Sequence, residues 1–143
     1  MEYVFAARFE RDPEGGYLVT FPDVPEAITG GATMAEAKTN AAEALGLALR
    51  GIVGLGRPLP SSTTWGKDLH PISVEPYAAM KLALVEAFRE SGISKTELAA
   101  RLGKAESEAR RILDPDHPTK LATMQAALAA LGKTVIITVR DGA

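Results

Sequence analysis

The sequence contains no cysteine, which excludes disulfides, thiol nucleophiles and the common structural zinc sites. Only two histidines are present: His70 precedes Pro71, and His117 lies in a proline-flanked stretch. Neither has a second histidine or a glutamate at metal-ligand spacing, so zinc binding and imidazole acid–base work are not expected. There is no glycine loop of the nucleotide-binding kind; Gly15-Gly16 and Gly30-Gly31 are isolated pairs and read as turns. No apolar run approaches the ~20 residues that span a bilayer. The amino terminus opens on strand-like alternation instead of a basic leader and an apolar segment, so a cytoplasmic protein without secretory signal or membrane contact is expected. Neither a cofactor nor a resident metal is expected.

What is present describes a folded protein. Hydrophobic residues make up 46% and charged residues 24% of 143, a globular composition. The net charge of −2 hides an asymmetry. Residues 1–76 hold 6 Lys+Arg against 10 Asp+Glu, a charge of −4, whereas residues 77–143 hold 10 against 8, a charge of +2. Halves of opposite sign predict two different partners.

Residues 2–10 alternate, with Tyr3, Phe5, Ala7 and Phe9 on one face, and predict a half-buried strand. Arg11-Asp12-Pro13-Glu14-Gly15-Gly16 is a turn, and Tyr17, Val19 and Phe21 mark a second strand. Period-2 spacing makes these aromatics core residues, not a base-stacking platform. Pro22 and Pro25 end the strand, and Ala27 to Gly30 is a short third strand. Thr33 with Glu36 forms a capping box opening a helix with Ala37, Ala41, Ala44, Leu45, Ala48 and Ile52 on one side. Gly54 and Gly56 end it. Arg57 to Asp68 is a loop holding the lone Trp65, either a lid or an exposed interface anchor. Leu69 to Val74 is a fourth strand that Pro71 assigns to an edge. The order β-β-β-α-β predicts an α+β layer.

From Glu75-Pro76 the pattern turns helical, with Met80, Leu84, Ala87 and Phe88 at helical spacing. Two short helices then meet at Gly103. The first is capped by Ser94 with Glu97 and turns Leu98, Ala99 and Leu102 inward; the second does so with Ala109, Ile112 and Leu113. This is the spacing of a helix-turn-helix, and equally of a plain αα-hairpin. Pro115 and Pro118 break the helix. Another helix from Lys120 to Leu131 faces inward with Leu121, Met124, Leu128 and Leu131. Thr134 to Arg140 reads as a strand whose Val135, Ile136, Ile137, Thr138 and Val139 leave neither face polar. A lone strand must pair. The partner is either the same strand of a second subunit about a two-fold axis, the arrangement favoured here, or the amino-terminal sheet.

In a helix-turn-helix the start and outer face of the second helix reach DNA. Arg110 and Arg111 suit guanine edges or phosphates, Lys104 a phosphate and Ser107 either, with Ser94, Lys95 and Lys120, and also Arg101, as further backbone contacts. Glu106 and Glu108 oppose phosphate, although Glu accepts from cytosine N4. Glu10, Asp12 and Asp23 read as solvated turn carboxylates, the alternative being a divalent-cation site. No enzymatic activity is expected.

The run Gly16-Tyr17-Leu18-Val19-Thr20-Phe21-Pro22-Asp23-Val24-Pro25, followed by Thr29-Gly30, Thr33, Glu36-Ala37, Asn40-Ala41 and Glu43-Ala44-Leu45, resembles the amino-terminal domain of HicB antitoxins. Gly92-Ile93-Ser94-Lys95-Thr96-Glu97-Leu98-Ala99, Arg110-Arg111-Ile112-Leu113-Asp114-Pro115, His117-Pro118-Thr119-Lys120-Leu121 and Ala126-Ala127-Leu128-Ala129-Ala130-Leu131-Gly132-Lys133 extend the resemblance through the second half. It implies residues 1–75 as a partial ribonuclease H-like, toxin-binding domain. Residues 76–143 are then an all-α helix-turn-helix domain with a carboxy-terminal dimerising strand. The implied role is to neutralise a HicA-type mRNA-cleaving ribonuclease, a basic protein, and to repress the operon by binding double-stranded operator DNA as a homodimer or higher homo-oligomer. Glu26-Ala27 departs from the Gly-Cys common in the family, and Ala105 stands where a helix-turn-helix often has a capping Ser or Thr. The alternatives are a stand-alone helix-turn-helix regulator whose α+β domain senses a small ligand, and a metal-dependent nuclease.

Overall fold

The computed structural model describes residues 1–142. The chain divides into two compact units, Met1–Leu82 and Ala83–Ala143.

The first unit is a four-stranded antiparallel sheet and a long helix. The strands are β1 (Val4–Arg11), β2 (Tyr17–Thr20), β3 (Ile28–Gly31) and β4 (Leu69–Ser73), and α1 (Met34–Gly54) follows β3. Their order in the sheet is β3-β2-β1-β4, so Pro71 does lie on an edge strand. The β1–β2 hairpin turns through Gly15 and Gly16, both at positive φ, where a glycine avoids the Cβ clash. Register sets Phe9 opposite Val19 and Phe5 opposite Ile72, which puts these four side chains on one face. That face meets Ala37, Ala41, Leu45, Leu49 and Ile52 of α1, all buried. Phe5, Phe21, Leu45 and Leu49 are at most 2% exposed, and each such side chain contributes about 1.5–3 kcal/mol. On the opposite face the register aligns Arg8, Thr20 and Ile28 and, beside them, Glu10, Leu18 and Gly30.

Helix α1 starts where the capping box predicts: the Thr33 hydroxyl accepts the Glu36 amide at 3.1 Å. Its buried stripe differs from the predicted one. Leu49, Gly46 and Val53 are buried, while Ala44 and Ala48 are only half-buried. Gly30 and Gly31 are also corrected: they are strand residues of β3 without positive φ, and not a turn. Their missing side chains make room for neighbouring backbone. A Cβ on Gly31 would lie 2.5 Å from the Ala37 amide nitrogen, and one on Gly30 would lie 2.5 Å from the Tyr17 carbonyl oxygen. Helix and sheet thus touch almost backbone to backbone, and Asn40 of α1 adds a hydrogen bond to the Gly30 carbonyl at 2.8 Å.

The helix α2 (Pro76–Ser91) opens with proline at its first position, and the Glu75 carboxylate accepts the Tyr77 and Ala78 amides. Proline is tolerated there because its missing N–H would have no intrahelical partner.

Beyond it the second unit contains α3 (Lys95–Leu102), α4 (Glu106–Leu113) and α5 (Leu121–Ala130), and α3 packs on both α4 and α5. Ser94 caps α3 by accepting the Glu97 amide at 3.1 Å, and Gly103 ends it in the left-handed region at φ 64°. Leu98, Ala99, Ala109, Ile112 and Leu113 are buried as the periodicity predicts, and Leu102 is half-buried. Helix α5 is corrected at its start. Leu121 is 60% exposed, and Met124, Ala127 and Leu128 form the buried face. The expected strand at 134–140 is absent from the single chain: these residues take no regular secondary structure, and the sheet among the described residues is made of β1 to β4 alone. A strand exists only through its ladder. Ile136, Ile137 and Val139 are consequently 84%, 76% and 90% exposed.

Candidate functional site

The predicted DNA-contacting residues all belong to α3, α4, α5 or the residues just before them, and all are exposed. Lys104, Ser107, Arg110 and Arg111 share α4 and the turn before it; Lys120 is the residue preceding α5. Ser94 and Lys95 stand at the start of α3, with the Ser94 oxygen engaged by the Glu97 amide. Arg101, a further expected backbone contact, is exposed but engaged within its own unit. Its guanidinium holds Glu97 at 3.1 Å and the Ala130 carbonyl at 3.1 Å, so it satisfies an acceptor at the end of α5, where a cation suits the helix dipole.

The outer surface of α4 is internally paired. Arg110 donates to Glu106 through Nη2 at 2.7 Å and through Nε at 3.3 Å. Lys104 Nζ lies 3.5 Å from Glu108. The other Glu106 oxygen accepts the Thr96 hydroxyl at 3.3 Å, which joins the start of α4 to the start of α3. The Arg110 hydrogen bond and charge hold the Glu106 carboxyl below its ordinary value, with help from Thr96 and Lys95. Ala105 offers α4 no side-chain cap, so the acids of its first turn face the positive end of the helix dipole without a capping hydroxyl. The Glu106–Arg110 pairing is legible in the i,i+4 spacing; the bridge to Thr96 is not.

In the sheet unit the three hairpin carboxylates have separate tasks. Asp12 accepts the Glu14 amide at 3.0 Å within the turn, and Glu10 lies on the exposed face of β1. Asp23 reaches forty positions along the chain to the loop at 57–66. One oxygen accepts the Thr63 and Thr64 amides at 2.9 Å each; the other accepts the Thr64 hydroxyl at 2.7 Å and the Thr63 hydroxyl at 3.5 Å. Burial works to raise this carboxyl, but the hydrogen bonds from Thr64 and Thr63 outweigh it and hold it below the ordinary carboxylate value. The next residue, Trp65, is 51% exposed; it is not a buried lid. No three His, Asp or Glu side chains converge as metal ligands among the described residues. Nor is any helix there long and apolar enough to cross a membrane.

Residues 4–83 match the model of a family described as HicB_like antitoxin of bacterial toxin-antitoxin system. The chain belongs to the HicB-like antitoxin family. Its similarity to individual members runs past the sheet unit. It is 40% identical over 121 residues to Antitoxin HicB of Escherichia coli strain K12, covering 85% of this chain and 88% of that one. To Antitoxin HicB 2 of Photorhabdus laumondii it is 38% identical over 129 residues, 90% and 91% of the two chains. A third antitoxin, from Pseudomonas fluorescens, is 29% identical over 138 residues, 96% of this chain and 94% of its own. The region of resemblance in these antitoxins therefore includes α3 and α4, and in the Pseudomonas fluorescens protein α5 as well.

Proposed function

We propose that this antitoxin binds and neutralises a HicA-type mRNA-cleaving ribonuclease and represses its own operon by sequence-specific DNA binding in the cytoplasm. Residues 1–75, a partial ribonuclease H-like layer, receive the toxin. Residues 76–143 form the helix-turn-helix and dimerisation domain. The observation that carries the reading is the family match over the sheet unit combined with two eight-residue helices joined through a left-handed Gly103. The net charge of −4 over residues 1–76 favours a basic protein partner.

On the DNA side, Arg110, Arg111 and Ser107 address bases or phosphates. Ser94, Lys95, Lys104 and Lys120 contact the backbone. Val135, Ile136, Ile137, Thr138 and Val139 become a strand when they pair with the same segment of a second copy, which both satisfies the backbone and covers the exposed aliphatics. The two recognition helices then read a two-fold site. In this reading the chain acts by binding and not by catalysis, which is supported by the engagement of Asp23, the carboxylate a metal-dependent nuclease would need, in hydrogen bonds from Thr63 and Thr64.

The test separates the two tasks. The chain is co-expressed with the product of the small reading frame beside its gene, and growth rescue and co-purification are scored. DNA binding is scored on the duplex upstream of the gene. Arg110→Ala with Arg111→Ala is expected to abolish DNA binding and to leave rescue intact. Absence of rescue and of co-purification removes the antitoxin–toxin reading; a double variant that binds with unchanged salt slope removes the DNA reading.

A further inference from the structure

The pairing on α4 goes beyond what DNA contact requires. A helix that simply met phosphates would present its guanidinium groups to solvent, whereas Arg110 is held at 2.7 Å and 3.3 Å by a carboxylate of the same surface. Surface pairs at i,i+4 are ordinarily minor stabilisers, and Lys104 with Glu108 at 3.5 Å fits that description. Glu106 differs in three respects. It accepts two guanidinium nitrogens, its second oxygen is fixed by Thr96 of the preceding helix, and Lys95 adds to the charge that keeps it ionised. A carboxylate so held occupies Arg110 much as a phosphate would, and repels any phosphate that approaches.

We infer that Glu106 is a specificity-determining residue, which withholds Arg110 from the DNA backbone and so lowers affinity for bulk DNA relative to the operator. This rests on the proposed DNA-binding role. Non-specific binding is almost wholly phosphate electrostatics. A helix whose arginine is already occupied therefore loses most on random sequence. At the operator the released Glu106 carboxylate accepts from a cytosine N4 while Arg110 turns to a base edge, so Glu106 regains there what opening the pair costs, whereas random sequence returns nothing for it. The charge over 103–113, three basic residues against two acidic, leaves little attraction to a duplex once Arg110 is withheld.

The experiment uses the full chain, a random-sequence duplex pool, and the duplex that the unaltered chain enriches from that pool. Glu106→Gln keeps an oxygen for Thr96 and removes the charge. It is expected to tighten binding to the random pool about tenfold at ~0.1 M salt, to steepen the salt slope by about one, and to bind the enriched duplex with little change. Glu108→Gln removes an equal charge and is expected to tighten random binding only a few-fold. Adding Arg110→Gln to Glu106→Gln is expected to cancel the gain, since the released arginine is its source. Equal effects of Glu106→Gln and Glu108→Gln would overturn the inference in favour of plain charge, as would a gain that survives Arg110→Gln. If the unaltered chain enriches no sequence, the inference fails together with the DNA-binding reading; if it does and Glu106→Gln changes nothing, only the inference fails.

Discussion

The two units differ in what completes them. In the sheet unit, α1 closes on β3 at backbone distance, and the large apolar residues between them are buried within one chain. In the helical unit, α3, α4 and α5 share a small core of Leu98, Ala109, Ile112, Met124 and Leu128, yet aliphatics remain outside it. Ala122, Ala126 and Ala129 of α5 are exposed together with Leu121, and the segment at 134–140 displays Ile136, Ile137 and Val139 to solvent. A short stretch of β-branched residues with bare side chains leaves apolar surface in water. The contrast teaches that one unit covers its apolar surface through its own glycines, whereas the other leaves part of its apolar surface bare, which is what the proposed second copy would cover.

The largest effect that could break this contrast is expected at the tail. Ile136→Asp with Val139→Asp places two charges where the proposed strand would bury two aliphatics. Burial of each is worth about 1.5–3 kcal/mol, so the dimer dissociation constant is expected to rise by ~100-fold or more. Sedimentation equilibrium checks this, with the sheet unit expected to melt unchanged. An unaltered association constant would mean that the segment pairs with no second copy.

A smaller loss is expected from the sheet unit. Gly31→Ala puts a methyl group 2.5 Å from the Ala37 backbone nitrogen, and neither backbone can yield without separating α1 from β3. Overpacking of this kind costs about 1–3 kcal/mol. Chemical denaturation is expected to show this loss without any change in self-association. If the variant is as stable as the parent, the close approach of helix and sheet is not what holds the unit together.

How much of this was legible follows from the range of each interaction. The caps at Thr33 and Ser94, the left-handed Gly103 and the edge position of β4 rest on residues within a few positions of one another or on proline itself, and local rules reach them. The buried face of α1 was read as an alanine stripe, but tertiary packing rotated it towards Gly46 and Leu49. Gly30 and Gly31 looked like a turn because glycine signals both positive φ and close approach, and only the neighbouring helix decides between them. The apolar segment after α5 was visible, but spacing names no ladder partner outside a hairpin. For the site residues, spacing exposed Glu106 beside Arg110, while the Thr96 bridge and the alternative task of Arg101 needed the fold.

The smallest of the effects concerns the loop that Asp23 holds, an exposed, non-regular segment of the sheet unit. The four hydrogen bonds lie at the surface, so Asp23→Ala is expected to cost only about 1 kcal/mol. The pH dependence is more telling. The folded carboxyl lies below its ordinary value because Thr64 and Thr63 outweigh burial. Its contribution is therefore fully present above the unfolded value and lost as pH falls through the folded one. Trp65 is the single tryptophan and adjoins Thr64, so its fluorescence reports the loop directly. The unaltered chain is expected to show a spectral transition in acid, below the normal carboxylate range. Asp23→Asn does not titrate, and its amide can still accept the loop amides through oxygen while donating to the threonine hydroxyls. It is expected to keep the neutral-pH spectrum and to lose the transition. Identical acid titrations of the two proteins would show that Asp23 does not hold the loop, leaving the Trp65 segment as unfinished as the carboxy-terminal one.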